Sequence, residues 1–349
     1  MEKDINQRKT EHIRLCLTEQ VEGVNKSTGL EGVSFIHNAL PEINFADITL
    51  ETEFLQKKLK APFLVSSMTG GSALATEINL NLAVASEEKG WAIGLGSTRA
   101  LLESRAHEDS FLIRKQAKTV PVIANLGAVQ FNYGYGVDEC QRIVDSTQAD
   151  SLVLHLNSLQ EVVQDGGDLN FENLLPKIEE VCKKLAVPVG VKEVGFGIDG
   201  TVAEKLYNAG VSYVDVAGAG GTSWSQVEKL RTEDPLREAA AEAFNSWGIP
   251  TKDCLVSVRS ALPKVPLVAS GGMKTGVDAA KALTIGADVV GYARTLLKAA
   301  TESVDEVIKV MDQIELELKM TMFGIGVTTL EELKNTNRVS IMGRSLLDE

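Results

Sequence analysis

VPLVASGG, residues 265–272, and GADVVGYAR, residues 286–294, decide the fold. Each is a short apolar run of the buried-strand kind that breaks at glycine or alanine into residues that favour a helix. Two such strand–turn–helix units in succession are how a closed (β/α)8 barrel ends. In that fold the loops after the last two strands commonly hold a phosphate on backbone N–H groups. Gly271 and Gly272 allow the close backbone approach this needs, and Ala293-Arg294 opens the second loop.

Working outward, six further runs rich in β-branched residues precede these: 63–65, 92–95, 120–124, 152–154, 187–191 and 213–216, followed by 266–269 and 288–291 for the two already quoted. Between them lie helical periodicities at 77–89, 174–185, 202–209 and 277–285. Pro62, Pro121, Pro188 and Pro266 precede strands, and Gly90, Gly210 and Gly286 follow helices. Eight βα units predict a TIM barrel of α/β class, spanning about residues 46–300. Residues 1–45 read as an N-terminal extension or lid, and 301–349 as a charged amphipathic helix (303–319) with a polar tail. With no linker or low-complexity segment, the chain reads as one domain.

A net charge of −13 with no basic stripe argues against a nucleic-acid or anionic-membrane partner. It leaves room for an anionic small molecule in one locally cationic pocket. The four cysteines are scattered without a CxxC pair, as expected of reduced thiols packed in a cytoplasmic protein. The N-terminal stretch MEKDINQRKTEH has no apolar leader core, and no apolar run approaches a membrane span.

Barrel active sites gather at the C-terminal ends of strands. Those ends carry Ser67-Met68-Thr69, Ser97 and Arg99 in GLGSTR, Asn125 in NLG, HLNSLQE from His155, Lys192 in VKEVG, and Thr222 in GAGGTSW. Lys192 ends a buried strand. A rim salt bridge or a Schiff base is open to it, but a third role is to stabilise the anionic N1–C2=O edge of a reduced flavin. Thr69, Asn125 and Thr222 can bond a flat polar ring, with Met68 against one face. His155 can be a satisfied buried imidazole, or can join Asn157 and Gln160 around a second anion. Glu161 is a hard oxygen ligand suited to Mg²⁺, which uses few protein carboxylates when phosphates complete its shell. Arg8, Lys9 and His12 are a solvated face or a cationic cover folded over the mouth, which Arg99 would join.

The run RKTEHI, SSMTGG, GLGSTR, NLG, HLNSLQE, VKEVGFG, DVAGAGGTSW, ASGG and GADVVGYAR, in that order, resembles the type 2 isopentenyl-diphosphate Δ-isomerases, a flavin-dependent family, over nearly the whole chain. The resemblance implies FMN, its phosphate on Gly271, Gly272, Ala293 and Arg294. It implies ring contacts from Ser67, Met68, Thr69, Ser97, Asn125, Lys192 and Thr222. It also implies diphosphate and substrate contacts from Arg8, Lys9, Ser97, Arg99, His155, Asn157 and Gln160, with His12 supporting them. Lys192, His155 and Gln160 are its expected catalytic groups, and Glu161 its expected Mg²⁺ ligand. The implied activity interconverts isopentenyl and dimethylallyl diphosphate, with NADPH or NADH reducing the flavin, in a cytoplasmic homo-oligomer (tetramer or octamer). Lys274, the Asp165-Gly166 turn and Thr295 depart from the usual family pattern at the loops flanking the site. The rival readings are an FMN-dependent oxidoreductase of the α-hydroxy-acid or IMP dehydrogenase kind and a non-catalytic flavin-binding barrel.

Overall fold

The structure is a computed structural model that describes residues 2–103 and 108–342, with side chains from residue 7 onward. The last seven positions of the expected C-terminal tail lie outside the described residues. Eight parallel strands close into a barrel: β1 (Phe63–Val65), β2 (Ala92–Gly94), β3 (Val122–Gly127), β4 (Ser151–Leu156), β5 (Val189–Glu193), β6 (Tyr213–Asp215), β7 (Leu267–Ala269) and β8 (Val289–Tyr292). β8 pairs with β1, Val290 opposite Phe63, which completes the ring. Every strand falls on an apolar run read from the sequence, within two or three residues at its ends.

The side-chain period of two sets the barrel's interior. One layer of inward residues comprises Leu64, Ala92, Ile123, Val153, Tyr213, Val268 and Val289, packed as a single apolar cluster. In that layer β5 contributes Gly190, because a Cβ there would lie 2.1 Å from the Tyr213 ring. The alternate residues, among them Phe63, Val65, Val122, Val191 and Val290, face outward into the larger cluster shared with the helices.

Two residues further along each strand, the inward position changes character: Ser66, Gly94, Asn125, His155, Lys192, Asp215, Ser270 and Gly291. This second layer is the floor of the barrel mouth. Apolar packing below and a polar ring above therefore follow from one alternation.

Three features were not in the sequence reading. A hairpin, Thr52–Phe54 with Lys57–Leu59, closes the bottom of the barrel, and Phe54 and Leu59 join the inner cluster. Its turn residues Leu55 and Gln56 both have positive φ (52° and 60°), without the Asn-Gly or Asp-Gly that announces such turns. A short strand in the N-terminal extension, Val33–Phe35, pairs antiparallel with Val339–Ile341 near the C-terminus. The connection after β6 is long and holds three helices, Trp224–Lys229, Pro235–Glu242 and Thr251–Ala261.

The first helix, Glu2–Thr18, packs on Ala73–Lys89, Trp224–Lys229 and Arg294–Ala300, so it lies over the C-terminal mouth. The helix Val304–Ile325 buries Val307, Met311, Ile314, Leu318 and Met322 against the barrel's helical ring. It runs six residues beyond the stretch expected for it and stops at Gly326 in the left-handed conformation. No described helix is long and apolar enough to cross a membrane.

Candidate active site

A cavity of about 700 Å³ opens at the C-terminal mouth. All nineteen candidate positions line it: Arg8, Lys9, His12, Ser67, Met68, Thr69, Ser97, Arg99, Asn125, His155, Asn157, Gln160, Glu161, Lys192, Thr222, Gly271, Gly272, Ala293 and Arg294. They arrive from the N-terminal helix and from the ends of all eight strands. Only tertiary closure brings them together.

At the base, strand register sets Lys192 between His155 on β4 and Asp215 on β6. All three are buried or half-buried, and the Lys192 Nζ donates to the Glu193 carbonyl at 2.6 Å. Burial raises the Asp215 carboxyl above its usual range, against the pull of Lys192 and of the Ser270 hydroxyl, which donates at 2.5 Å. His155 Nδ1 lies 2.8 Å from the Asn125 side-chain oxygen, so Nδ1 carries the proton. Burial, then the charges of Lys192 and Lys9, push its pKa down to about 3. The ring is therefore neutral at pH 7, and its free nitrogen, Nε2, is an acceptor. Donation from Nε2 to an anion requires proton uptake when the anion binds.

On one side the glycine loops form a tight cradle. Gly271 (φ 96°) would place a Cβ 2.0 Å from the Gly218 carbonyl oxygen, and Gly272 (φ 74°) one 2.5 Å from that of Gly220. Thr295 Oγ1 donates to the Met273 carbonyl at 2.7 Å, tying the two phosphate-type loops together. The Arg294 guanidinium turns away from the cradle. It donates to the Cys16 carbonyl at 2.9 Å and approaches the Glu22 carboxylate at 3.1 Å, which also meets Lys274 at 3.2 Å. Arg294 thus caps the C-terminal end of the first helix and fastens it to the β8 loop.

On the opposite side cations crowd. Burial, then Arg8, push the Lys9 pKa down to about 8. Arg99 is held by Glu103 at 2.6 Å and Asp168 at 2.8 Å. Glu161 is pinned by Asn157 Nδ2 (2.8 Å) and the Asp168 backbone N–H (2.8 Å), and burial raises its pKa. Glu228 meets His12 at 3.0 Å, Gln160 at 3.1 Å and Arg231 at 2.5 Å. Burial pushes the Glu228 carboxyl up, but these partners outweigh it and hold it ionised; burial lowers His12. The His12 ring rests edge-on against Trp224, 5.0 Å between centroids.

The sequence reading missed Asp215, Ser270, Ser66, Gln130, Asp168, Glu228 and Glu22. Period-two alternation from the strands points to the first three. Nothing local marks Glu228, which reaches the mouth from the long connection after β6.

The donor set fits a flavin phosphate and ring. Ser66 Oγ and Thr69 Oγ1 are buried without partners beside the cradle and the polar ring, a state that a ligand's polar edge would relieve. It also fits a hard cation. Asn157 Oδ1 and Gln130 Oε1 are buried, unpartnered acceptors beside Glu161 and Asp168.

Comparison with known proteins agrees with a flavin site. The family model for FMN-dependent dehydrogenase matches residues 157–340, just over half the chain. The chain is 77% identical over its full length and that of a protein of Oceanobacillus iheyensis named isopentenyl-diphosphate delta-isomerase. Proteins of the same name from a Nostoc species and Rickettsia bellii are 48% and 50% identical, each covering 94% of this chain, and 94% and 95% of their own. Among solved structures, the flavin-binding domain of baker's yeast flavocytochrome b2 superposes with a TM-score of 0.68 at 18% identity, over 92% of this chain and 79% of that one. A mandelate oxidase with an FMN adduct gives 0.63 at 16%, over 90% and 89%. At such identities these two speak for the fold alone.

Proposed function

The chain belongs to the type 2 isopentenyl-diphosphate Δ-isomerases, FMN-dependent TIM-barrel enzymes, and from that premise we propose how its residues divide the work. The observation that carries the proposal is the polarity of the cavity. A glycine cradle lies at one side, a buried lysine at the base, and a cluster of Arg8, Lys9 and Arg99 at the other side. One anion seat is suited to a cofactor phosphate and the other to a substrate diphosphate, with the reacting carbons between them.

The isomerisation moves a C=C bond by protonating one carbon and deprotonating another. When bound and reduced, FMN supplies an electron-rich ring that can stabilise positive charge at the tertiary carbon and a ring nitrogen that can exchange protons. Gly271, Gly272, Ala293 and Arg294 hold its phosphate through backbone N–H groups. Ser67, Met68, Thr69, Ser97, Asn125 and Thr222 set the ring plane. Lys192 places positive charge at the ring's anionic edge. Arg8, Lys9, Ser97, Arg99, His155 and Asn157 bind the substrate diphosphate, and His12 supports the cover. Glu161, with the free oxygens of Asn157 and Gln130, would hold Mg²⁺, which offsets diphosphate charge. Gln160, oriented by Glu228, faces the substrate's carbon skeleton as a polar, uncharged neighbour. Residues 1–45 act as a lid that keeps water from the reacting carbons. NADPH or NADH reduces the flavin, and the enzyme works as a cytoplasmic homo-oligomer.

Net oxidation of a hydroxy acid would need a general base in the matched region. The last of the four histidines is His155, which precedes residues 157–340 and is a weak base, its pKa pushed down to about 3 by burial and then by Lys192 and Lys9. The deciding experiment is an anaerobic NMR assay of isopentenyl to dimethylallyl diphosphate with FMN, NADPH and Mg²⁺. Conversion should cease without reduced flavin and fall without Mg²⁺. Conversion by the flavin-free protein would overturn the proposal.

A further inference from the structure

The loop after β5 contains a feature that the scheme above leaves unused. A single carboxylate oxygen, Glu193 Oε2, accepts from four consecutive backbone N–H groups: Val194 at 2.7 Å, Gly195 at 2.7 Å, Phe196 at 2.5 Å and Gly197 at 3.2 Å. Such a concave run of N–H groups is an anion nest. Here the chain fills its own nest. Gly195 (φ 140°) and Gly197 (φ 91°) supply the backbone turns it requires. Neither tolerates a Cβ, which would fall 2.6 Å from the Thr222 carbonyl and 2.5 Å from the Cys254 sulfur.

The peptide between Glu193 and Val194 links this nest to the site. Its N–H points to the Glu193 carboxylate. In a trans peptide the carbonyl points the opposite way, and that carbonyl accepts from Lys192 Nζ at 2.6 Å. Val194 and Gly195 also line the cavity. The orientation of one peptide plane thus couples a buried carboxylate to the ammonium at the cavity base. Burial pushes the carboxyl up to about 7 despite its backbone donors and the charge of Lys192.

We infer that Glu193 is a positioning residue: its carboxylate locks the Glu193–Val194 peptide so that the carbonyl holds the Lys192 ammonium at the flavin edge. The inference rests on the role given to Lys192, and the test separates the two. The reduction potential of bound FMN is measured for Lys192→Met in four backgrounds: Glu193 itself, Glu193→Gln, Glu193→Asp and Glu193→Ala. With Glu193, losing the ammonium should weaken the preference for anionic reduced flavin at least tenfold, about 30 mV for two electrons. Glutamine keeps an acceptor oxygen at the same reach and should preserve that effect. Alanine removes the acceptor, and aspartate keeps the charge but falls a methylene short. In both, the Lys192→Met effect should shrink below twofold, because the ammonium is already displaced.

An equal Lys192→Met effect in all backgrounds would overturn the inference while leaving Lys192 its role. So would aspartate behaving as wild type while glutamine does not, since charge rather than reach would then matter. No effect of Lys192→Met even with Glu193 present would remove the underlying reading, and this inference with it. Should the alanine protein not fold, the aspartate and glutamine pair decides.

Discussion

Gly271→Ala tests the link from turn geometry to cofactor binding. Gly271 sits at φ 96°, where an L-residue costs roughly 1–2 kcal/mol. The new Cβ would stand 2.0 Å from the Gly218 carbonyl oxygen and 2.5 Å from the Gly218 nitrogen. Both are backbone atoms of the neighbouring β6 loop, so no rotamer change relieves the overlap. An ordinary contact returns only after the β7 loop retreats by about 1 Å or more. A hydrogen bond to a charged group contributes about 1.5–3 kcal/mol. Withdrawing two N–H groups from the phosphate therefore costs about 3–6 kcal/mol, or roughly 10²–10⁴-fold in FMN affinity. The assay is titration of flavin-free protein with FMN, followed by flavin fluorescence, with riboflavin as a parallel ligand. FMN affinity should fall at least ~100-fold, while riboflavin, having no phosphate, should change far less. Equal losses for the two ligands, or an FMN affinity within threefold of wild type, would refute the assignment of this cradle to phosphate.

Other consequences follow from the same geometry. Lys9, lowered to about 8 by burial and by Arg8, must be protonated to attract a diphosphate. Pyrophosphate affinity measured by calorimetry should then fall about tenfold per pH unit above pH 8, and Lys9→Met should flatten that slope. Arg294→Ala removes the cap on the Cys16 carbonyl and the tie to Glu22; a loss of about 1 kcal/mol should speed limited proteolysis of the first helix roughly fivefold. Phe54→Ala empties the base of the barrel beside Tyr213, 5.4 Å away between ring centroids, and should cost about 3–5 kcal/mol in thermal unfolding yet leave FMN affinity unchanged. Asp215→Asn should lower turnover without unfolding the protein, since the amide oxygen still accepts from Ser270 while the charge facing Lys192 is gone; unchanged turnover would exclude that pairing from function.

The eight strands were legible because each is a short β-branched run between turn signals, and burial on both faces leaves little else for such a run to do. Their polar ends were legible for the same reason: a lysine or histidine two residues after a core position must sit where a buried strand meets the mouth. The bottom hairpin was not legible, because its turn forces Leu55 and Gln56 into positive φ that their own side chains disfavour. Packing of Phe54 and Leu59 into the barrel overrides that local preference. Glu228 and Glu22 were invisible for another reason. Each is an ordinary acidic residue in an ordinary local pattern, and only chain closure sets one against His12 and Gln160 and the other against Arg294 and Lys274.

By itself, then, the order of residues determined a parallel closed barrel, the end of it that carries chemistry, and the kinds of side chain arriving there, since alternation and turn formation act over a few residues. Tertiary structure alone decided which of those side chains neutralise one another, that His155 Nδ1 pairs with Asn125, that Arg294 fastens the first helix to the β8 loop, and that the Glu193 carboxylate folds back on four backbone N–H groups. Those outcomes depend on burial and on distances of a few ångströms between segments far apart in the chain, where desolvation and partner charge, not local propensity, set the free energy.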